Sequence, residues 1–364
     1  MSTLVSSRLL SAGLASARRV HPLRGAVFLV LLAMLSASAA MGQVEEAVVS
    51  GSVGFLYSHN DGQTSLQPIL TPVILVPLGS HLLVETSAQL QGYIARSGGN
   101  GPYEGQFFGS LQYLQLDWAV NSHLTIVAGR FTTPFNIYGE RLGPMWLHNL
   151  QDAPLIYPIG TRTSGSSNGG MIRGVVVSRP AWLLNYTVFF SALSQVENLG
   201  SGRAFGARAG VFLPRSRLEL GTSYQRFLQE QHSNSYGAYF SWQPRSLPID
   251  AKGEYAHSPQ GHGYWIEAAY RFKDSGKGGL TLAKFQPVVR GQQFFRLAPG
   301  VSDLLPATDT QRVDFGLNYY PIPSVRLNAS YGRQFTSERD SNYWTAEVTY
   351  HFLFPLAFWV KESK

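Results

Sequence analysis

The sequence contains no cysteine, and this absence excludes several classes of function at once. Disulfide frameworks, thiol catalysis and cysteine-ligated zinc sites all need that residue. Charged residues make up only 14% of the chain, and the basic ones are scattered along it. A scattered distribution does not form the basic patch that nucleic-acid binding needs. We therefore expect no catalytic site, metal site or cofactor, and no nucleic acid as a partner.

Long apolar runs are also absent, and no stretch of about 18 apolar residues is available for a membrane-spanning helix. The longest apolar stretch, "GAVFLVLLAML", follows Arg18, Arg19 and Arg24 and precedes the small residues "SASAA". This order is typical of a cleaved secretory signal peptide, which we place at residues 1–42. Its removal takes away four arginines and lowers the net charge from +7 to +3. The sequence thus predicts an exported protein.

Alternation with a period of two is the dominant pattern in the rest of the chain. In "NYWTAEVTYHF" (342–352), Trp344, Val348, Tyr350 and Phe352 share one parity, and Glu347 lies on the other. Successive side chains leave a strand on opposite sides, so this pattern predicts a strand with one apolar face and one polar face. Sixteen such segments can be counted between residues 46 and 352, and none shows helical periodicity. The sequence predicts an all-β protein.

The second segment is the weakest of the sixteen. Pro68 and Pro72 interrupt it, and proline cannot donate a hydrogen bond to a neighbouring strand.

The connections between the segments indicate how the strands are arranged. Short turns such as "PLGS" (77–80), "PRSR" (214–217) and "PIPS" (321–324) alternate with loops that are mostly longer and more polar. An even strand number with this alternation predicts a transmembrane antiparallel β-barrel at 43–352 in the bacterial outer membrane, with apolar rows facing lipid and polar rows facing the interior. A soluble β-sandwich or propeller is the alternative, but no blade repeat is present.

One connection, at 136–168, is much longer than the others. Trp146, Leu147, Leu150, Ile156 and Tyr157 make it too apolar for a freely solvated loop. Loops of this length are usually functional. We expect it to fold into the barrel as the third loop and narrow the lumen; the alternative is a cap over the barrel mouth or a contact with a neighbouring subunit.

Three stretches resemble the phosphate-selective porins of the O and P type. "AGRFTTPF" (128–135) is similar to the G-x-F-x-x-P-F segment before that family's long loop, and "FQPVVRGQQF" (285–294) and "GLNYYPIPSVRLNASYG" (316–332) are similar to its late strands. The resemblance implies a sixteen-stranded barrel, a homotrimer and an inward third loop. Two positions depart from the family: Thr132 stands where a lysine is common, and Asn136 where a glycine is common. The family's phosphate-binding arginines have no matching positions in this chain.

The end of the predicted barrel carries a second resemblance. The parity of Phe352 with Trp344, Val348 and Tyr350 is similar to the C-terminal signal that outer-membrane proteins present to the insertion machinery. Residues 353–364 then form a tail beyond the predicted last strand, because Pro355 argues against a continued strand.

Strand parity and loop position together give a set of candidate pore residues. Channel selectivity depends on pore width and on the charges that line it. The loop candidates are Glu140, Arg141, Asp152 and Arg162. The wall candidates are Arg173, Arg208, Lys252, Glu254, Glu267, Arg271, Arg290, Asp314, Arg326 and Glu347, with Glu85, Asp117 and Glu219 on the same inward parity. Positively and negatively charged residues nearly balance in this set, which suits general diffusion better than strict anion selection.

The sequence therefore predicts a passive porin for small hydrophilic solutes or ions, with outer-membrane lipid and small polar solutes or anions as its partners. An anion- or phosphate-selective porin, an outer-membrane enzyme and a plugged structural barrel are the alternatives. "GSSNG" (165–169) fits the G-x-S-x-G pattern around Ser167, but a nucleophile elbow needs a following helix, which the polar Gly/Ser context does not favour.

Overall fold

The computed structural model describes residues 46–60, 62–96, 101–160, 165–229, 232–272, 282–298 and 303–356. The predicted signal peptide, Arg162 and residues 357–364 of the predicted tail lie outside the described residues. Within the described ranges, no helix is both long and apolar enough to cross a membrane.

Sixteen strands form the body of the molecule, and each corresponds to one of the sixteen segments predicted from alternation. They are β1 (Ala47–Asn60), β2 (Gln63–Leu78), β3 (Leu82–Arg96), β4 (Tyr103–Asn121), β5 (Leu124–Thr132), β6 (Ser166–Ser178), β7 (Leu183–Ala192), β8 (Ala204–Leu213), β9 (Leu218–Phe227), β10 (Ser233–Trp242), β11 (Ile249–Ser258), β12 (Gly261–Tyr270), β13 (Phe285–Arg296), β14 (Thr310–Ile322), β15 (Val325–Thr336) and β16 (Ser341–Leu356).

The strands close into one antiparallel barrel in sequence order. β1 pairs with β16 over its whole length, from Ala47 opposite Leu356 to Asn60 opposite Tyr343. Closure gives every strand two neighbours, so no edge exposes a full row of unpaired backbone groups. The predicted fold class is confirmed.

The two faces of the wall differ as the alternation predicted. On β14, Phe315 and Leu317 on the outer face are 56% and 45% exposed, whereas Asp314, which precedes them, is buried. On β16, Trp344, Val348 and Tyr350 are exposed on the outer face, and Glu347 is buried. The barrel is therefore apolar outside and polar inside.

The prolines of β2 interrupt its ladder only on one side. Pro68 and Pro72 stay in register with β1, opposite Phe55 and Gly51. The pairing with β3 skips both prolines and resumes beyond each. Gly51 has a φ of +146°, and a side chain there would meet the Thr71 carbonyl oxygen at 2.3 Å. β2 stays paired with β1 because the missing side chain of Gly51 lets the two strands approach closely at Pro72.

The last strand is longer than predicted. β16 continues past Phe352 to Leu356, and Pro355 lies opposite Val48 of β1. Pairing with β15 ends at Tyr350, so the extension has β1 as its only partner strand. Proline is tolerated at such an edge position. The interpretation of Pro355 as the end of the strand was wrong.

Strand β4 rises above its neighbour on one side. It pairs with β3 from Tyr103 to Trp118, but its pairing with β5 begins only at Leu114. The first half of β4 thus forms a β3–β4 hairpin that stands at the same end of the barrel as the long third loop.

Candidate functional site

Residues 133–160, which belong to the connection from β5 to β6, lie inside the barrel. They contain α1 (Tyr138–Arg141), a 3-10 turn (Met145–Leu147) and α2 (Tyr157–Gly160). Their apolar side chains pack on the inner wall in a cluster of Phe135, Tyr138, Ile156, Ile159, Ala256, Trp265 and Phe294. Burying such side chains stabilises the loop position by about 1.5–3 kcal/mol each. The predicted inward fold of the third loop is confirmed.

Glu254 of β11 fixes the start of the loop. One carboxylate oxygen accepts hydrogen bonds from the backbone N–H groups of Ile137 and Tyr138, at 2.7 and 2.6 Å. The other accepts one from the Trp265 indole at 3.2 Å. A buried carboxylate needs several donors to be stable away from water. Here the first turn of the loop supplies two of them.

Asn136, just before that turn, has a φ of +56° and lies against three strands. Its N–H donates to Ser223 Oγ at 2.9 Å, and its carbonyl accepts from Arg208 at 2.9 Å. A Cβ on Gly237 would meet Asn136 Oδ1 at 2.1 Å. Asparagine tolerates the left-handed conformation better than most residues, and the missing side chain of Gly237 makes room for it.

Arg326 of β15 holds the middle of the loop. Its guanidinium donates to the carbonyls of Met145 and Trp146, at 2.8 and 3.0 Å, and also to that of His148. It also pairs with Glu347 at 3.1 Å, and both side chains are buried. Arginine suits this role because its five donors form a rigid fork. The Arg326 side chain thus attaches the 3-10 turn to the barrel wall.

Asn149 follows as a second attachment point. Its side-chain amide donates to Asp250 at 3.1 Å and to Glu267 at 2.9 Å. Its carbonyl accepts from the amides of Asn318 and Asn328, at 3.1 and 3.2 Å. The loop is therefore tied to four strands, β11, β12, β14 and β15, through one residue.

The second half of the loop attaches through Asp152. Its carbonyl accepts from Arg290 at 2.8 Å, and its carboxylate pairs with Arg312. Leu155 N–H then donates to Gln292 Oε1 at 2.9 Å. These hydrogen bonds, with those of Glu254, Asn136, Arg326 and Asn149, reach strands β8 to β15. At its 3-10 turn the loop also contacts β1 and β16, where Met145 lies beside Gly54 and Trp146 stacks on His351.

The predicted loop charges are engaged with the wall. Glu140 pairs with Arg208, and Arg141 makes a two-pronged contact with Glu219 at 2.6 and 2.9 Å. The Arg141 side chain keeps 38% exposure, the largest among the paired loop charges. For Arg141, desolvation opposes the charged form, but the hydrogen bond and charge of Glu219 outweigh it and raise its pKa.

The remaining wall candidates divide into two groups. Lys252, Glu267, Arg290 and Asp314 form one buried ion-pair network behind the loop, with contacts between 3.2 and 3.9 Å. Arg271 does not belong to it, because β12 ends at Tyr270 and the Arg271 guanidinium lies over the Tyr320 ring at 4.3 Å. Parity had extended β12 by one residue too far.

Arg173 lies on the other side of the barrel, on β6. It pairs with Asp117 at 2.5 Å, and its side chain keeps 36% exposure. Gln115 bridges Asp117 to Glu85 of β3 through hydrogen bonds of 2.9 and 3.3 Å. The inward residues Glu85 and Asp117 are thus brought together with Arg173, away from the loop.

Beyond this cluster, the inner wall of β1 to β4 is rich in amide and hydroxyl groups. Ser58, Ser65, Gln67, Gln89 and Gln91 contact one another there through side-chain hydrogen bonds of 2.6–3.0 Å. The lumen therefore has a charged side that carries the loop and a side that carries mainly amides and hydroxyls.

His148 lies in the loop beside Arg326 and stacks on the Tyr138 ring, with centroids 5.2 Å apart. Burial, together with the charges of Arg326, Lys252 and Arg290, lowers the pKa of His148 to about 3. Burial also raises the pKa of Tyr138 above its usual range. Both rings are therefore neutral near pH 7 and act as packing groups.

The G-x-S-x-G match around Ser167 lies within a strand from its second residue onward. Ser167 lies within β6, is buried, and its hydroxyl contacts Thr133 Oγ1 at 2.8 Å. The strand continues past it to Ser178, so the strand–turn–helix arrangement of a nucleophile elbow is missing there. Among the described residues, no group of three histidine or acidic side chains is placed to hold a metal ion.

One arginine of the site, Arg312, was missed at the sequence level. It has the same parity as Asp314 two residues later, and this was the available signal. Arg130 of β5 is also buried, although it has the parity of Ala128 and not that of the inward residue Phe131. Its guanidinium donates to the carbonyls of Leu111 and Gly200 and to Asn168 Oδ1.

The comparisons with known proteins bear on the fold. No protein-family model matches the chain, and no curated protein matches it. Solved structures do match: OprB of Pseudomonas putida at high pH (TM-score 0.59, 10% identity, covering 85% of this chain and 94% of that one), OmpF of Salmonella typhi in complex with daunomycin (0.56, 11%, 85% and 97%), and an anion-selective porin from Comamonas acidovorans (0.53, 9%, 85% and 99%). The chain therefore has the fold of the outer-membrane porins, and the O and P type resemblance is not confirmed.

Proposed function

We propose that the protein is a porin of the bacterial outer membrane, through which small hydrophilic solutes or ions diffuse passively. The observation that supports this most directly is the inward loop of a closed barrel, which is hydrogen-bonded to β8–β15. The inner face of β1 to β4 carries amide and hydroxyl groups.

Lipid, the insertion machinery and other copies of the chain are the proposed partners. The apolar outer row of Trp344, Val348 and Tyr350, followed by Phe352, suits a lipid boundary and the terminal insertion signal. Residues 1–42 are proposed to direct export and to be removed. A homotrimer is proposed from the sequence resemblance, and chemical crosslinking in detergent tests it.

Ion pairing favours general diffusion over strict anion or phosphate selection. Six arginines, 141, 173, 208, 290, 312 and 326, lie within 4.0 Å of a carboxylate oxygen. Recognition of phosphate uses arginines whose donors are free for the anion. Here the bonded donors are directed to acidic side chains and to loop carbonyls, and three that have no partner, Arg208 Nε, Arg290 Nη2 and Arg326 Nε, are buried.

Planar-bilayer recording tests the proposal. The chain without residues 1–42 is refolded, and its current is measured under a KCl gradient, with phosphate then added. Steady open steps with a reversal potential near zero are expected. A strongly anion-selective potential with block by phosphate would replace general diffusion with the phosphate-selective alternative. A folded barrel without conductance would refute both.

A further inference from the structure

A continuous row of uncharged hydrogen-bonding side chains crosses the inner face of four strands. Ser58 of β1 contacts Ser65 of β2 at 2.6 Å, and Gln67 Nε2 donates to Ser65 Oγ at 3.0 Å. Gln91 of β3 donates to Gln67 Oε1 at 2.6 Å, and Gln89 donates to Gln91 Oε1 at 2.8 Å. The first four strands are thus joined on the lumen side by amides and hydroxyls.

The row ends on β4. Gln112 Nε2 donates to Gln89 Oε1 at 3.3 Å and to Ser110 Oγ at 2.8 Å. We call Ser58, Ser65, Gln67, Gln89, Gln91, Ser110 and Gln112 the amide row. It spans three interstrand steps of about 4.8 Å, so it is at least roughly 14 Å long.

The amide row keeps hydrogen-bonding capacity for a solute. A glutamine amide has two N–H donors and a carbonyl with two lone pairs. Gln67, Gln89 and Gln91 each use one donor and one lone pair within the row. Each therefore retains a second donor and a second lone pair, and all three side chains are half-buried at the lumen surface.

Two aromatic rings accompany the row on the same face. Phe108 of β4 lies directly opposite Gln91 in the β3–β4 register, so the two side chains share a face. Tyr93 lies two residues beyond Gln91 and has the same parity. Phe108 is 51% exposed and Tyr93 is 40% exposed, although both stand on the polar side of the hairpin. Exposed rings beside amides offer a flat apolar surface together with fixed donors and acceptors.

From this arrangement we propose that the amide row, with Phe108 and Tyr93, is a binding track for neutral polyhydroxylated solutes of the oligosaccharide class. Hydroxyl groups both donate and accept, as the free half of each amide requires, and the C–H face of a sugar ring packs on an aromatic ring. The row carries no charge, so it neither concentrates nor repels ions. This inference rests on the proposed porin function and names the solute class of the same lumen.

Sugar-dependent current block tests the proposal on the refolded chain without residues 1–42. Maltotriose is the probe, added to an open channel in symmetric KCl. In the wild-type protein, the sugar is expected to interrupt the current. The double variant Gln67→Met/Gln91→Met keeps side-chain length and loses the amides, and it should bind the sugar about tenfold more weakly at unchanged KCl conductance.

Two further variants keep the test decisive. Phe108→Ala removes an exposed ring and leaves the amides in place, and it too should weaken the block without affecting folding. Gln311→Met is the matched control, because Gln311 lies exposed on the outer face of β14. Maltotriose should block this variant as strongly as it blocks the wild-type protein.

Several results would contradict the proposed binding track. An open wild-type channel that maltotriose does not block would overturn the track. Equal block in the wild-type protein and in both the row variant and the ring variant would overturn it too, as would an equal loss of block in Gln311→Met. A folded wild-type barrel without any conductance would instead refute the proposed porin function itself. Inorganic phosphate at the same concentration serves as the charged comparison and should not block more strongly than the sugar.

Discussion

The two sides of the lumen use polar residues in opposite ways. On β8 to β15, charged side chains are buried behind the third loop and are committed to its backbone and to one another, as Arg326 shows by donating to three loop carbonyls and to Glu347. On β1 to β4, uncharged amides face the lumen and keep spare hydrogen-bonding groups. A count of charged lumen residues therefore does not measure the electric field that acts on a solute, because most of these charges have a structural role.

The largest expected effect comes from removing the central attachment of the loop. Arg326→Met leaves three loop carbonyls and Glu347 without their buried partner, which costs about 3–5 kcal/mol. We expect a detached loop, higher single-channel conductance and rapid protease cleavage near residues 145–149.

The matched control for that variant is Arg333→Met. Arg333 pairs with Asp340 at 2.9 Å, but both side chains are 48% exposed, and surface pairs contribute at most about 1 kcal/mol. Equal conductance and equal cleavage in the two variants would show that the charged side does not hold the loop.

A smaller effect is expected at the start of the loop. Glu254→Leu removes the acceptor of two backbone N–H groups, and each unsatisfied buried donor costs about 1–3 kcal/mol. Glu254→Gln retains one carbonyl acceptor and should lose less. Limited proteolysis between residues 136 and 142 measures the order wild type, Gln, Leu; a loop that stays protected in the leucine variant would contradict the role of Glu254.

A single methyl group sharpens the same comparison. Gly237→Ala places a Cβ against Asn136 Oδ1, and overpacking of this kind costs about 1–3 kcal/mol. Gly291→Ala is the control, because a Cβ there meets nothing within 4 Å. Thermal unfolding followed by electrophoretic mobility should separate the two variants, and coincident midpoints would argue against tight packing at Asn136.

The smallest expected effect depends on pH. The pKa of His148 is lowered to about 3 in the folded protein, from 6.5 in a solvated histidine. Between these values the released loop binds a proton that the attached loop does not, so the attachment is complete above pH 6.5 and weakens as the pH falls towards 3. Protease protection of the loop should therefore decline over this window in the wild-type protein more than in His148→Gln. An identical decline in the two proteins would show that protonation of carboxylates, and not of His148, causes the loss of protection.

The sequence predicted the fold well because the barrel repeats one local rule. Alternation such as that of Phe315 and Leu317 against Asp314 is written in consecutive residues, and a barrel wall has only two faces. The rule failed at Pro355, whose pairing depends on a strand about 300 positions earlier.

The site was less predictable than the fold. Glu140 and Asp152 were expected to line a constriction, and their partners Arg208 and Arg312 come from distant strands, so spacing alone cannot give the ion pairs. The amide row was hidden for the same reason. Gln89 and Gln91 share one parity of β3, but Gln67 and Gln112 join them only through the register of two strand pairs, β2–β3 and β3–β4.

The pairing of β1 with β16 also determines the order of events in biogenesis. These strands meet along fourteen residue pairs, from Ala47 with Leu356 to Asn60 with Tyr343. Each strand pair other than this one joins neighbours in the sequence. Hairpins can therefore form as soon as their two strands are available, whereas β1 and β16 can pair only when both ends of the sheet have come together. Because loop-closure entropy grows with the length of the intervening chain, the β1–β16 pairing should be the last and slowest contact to form.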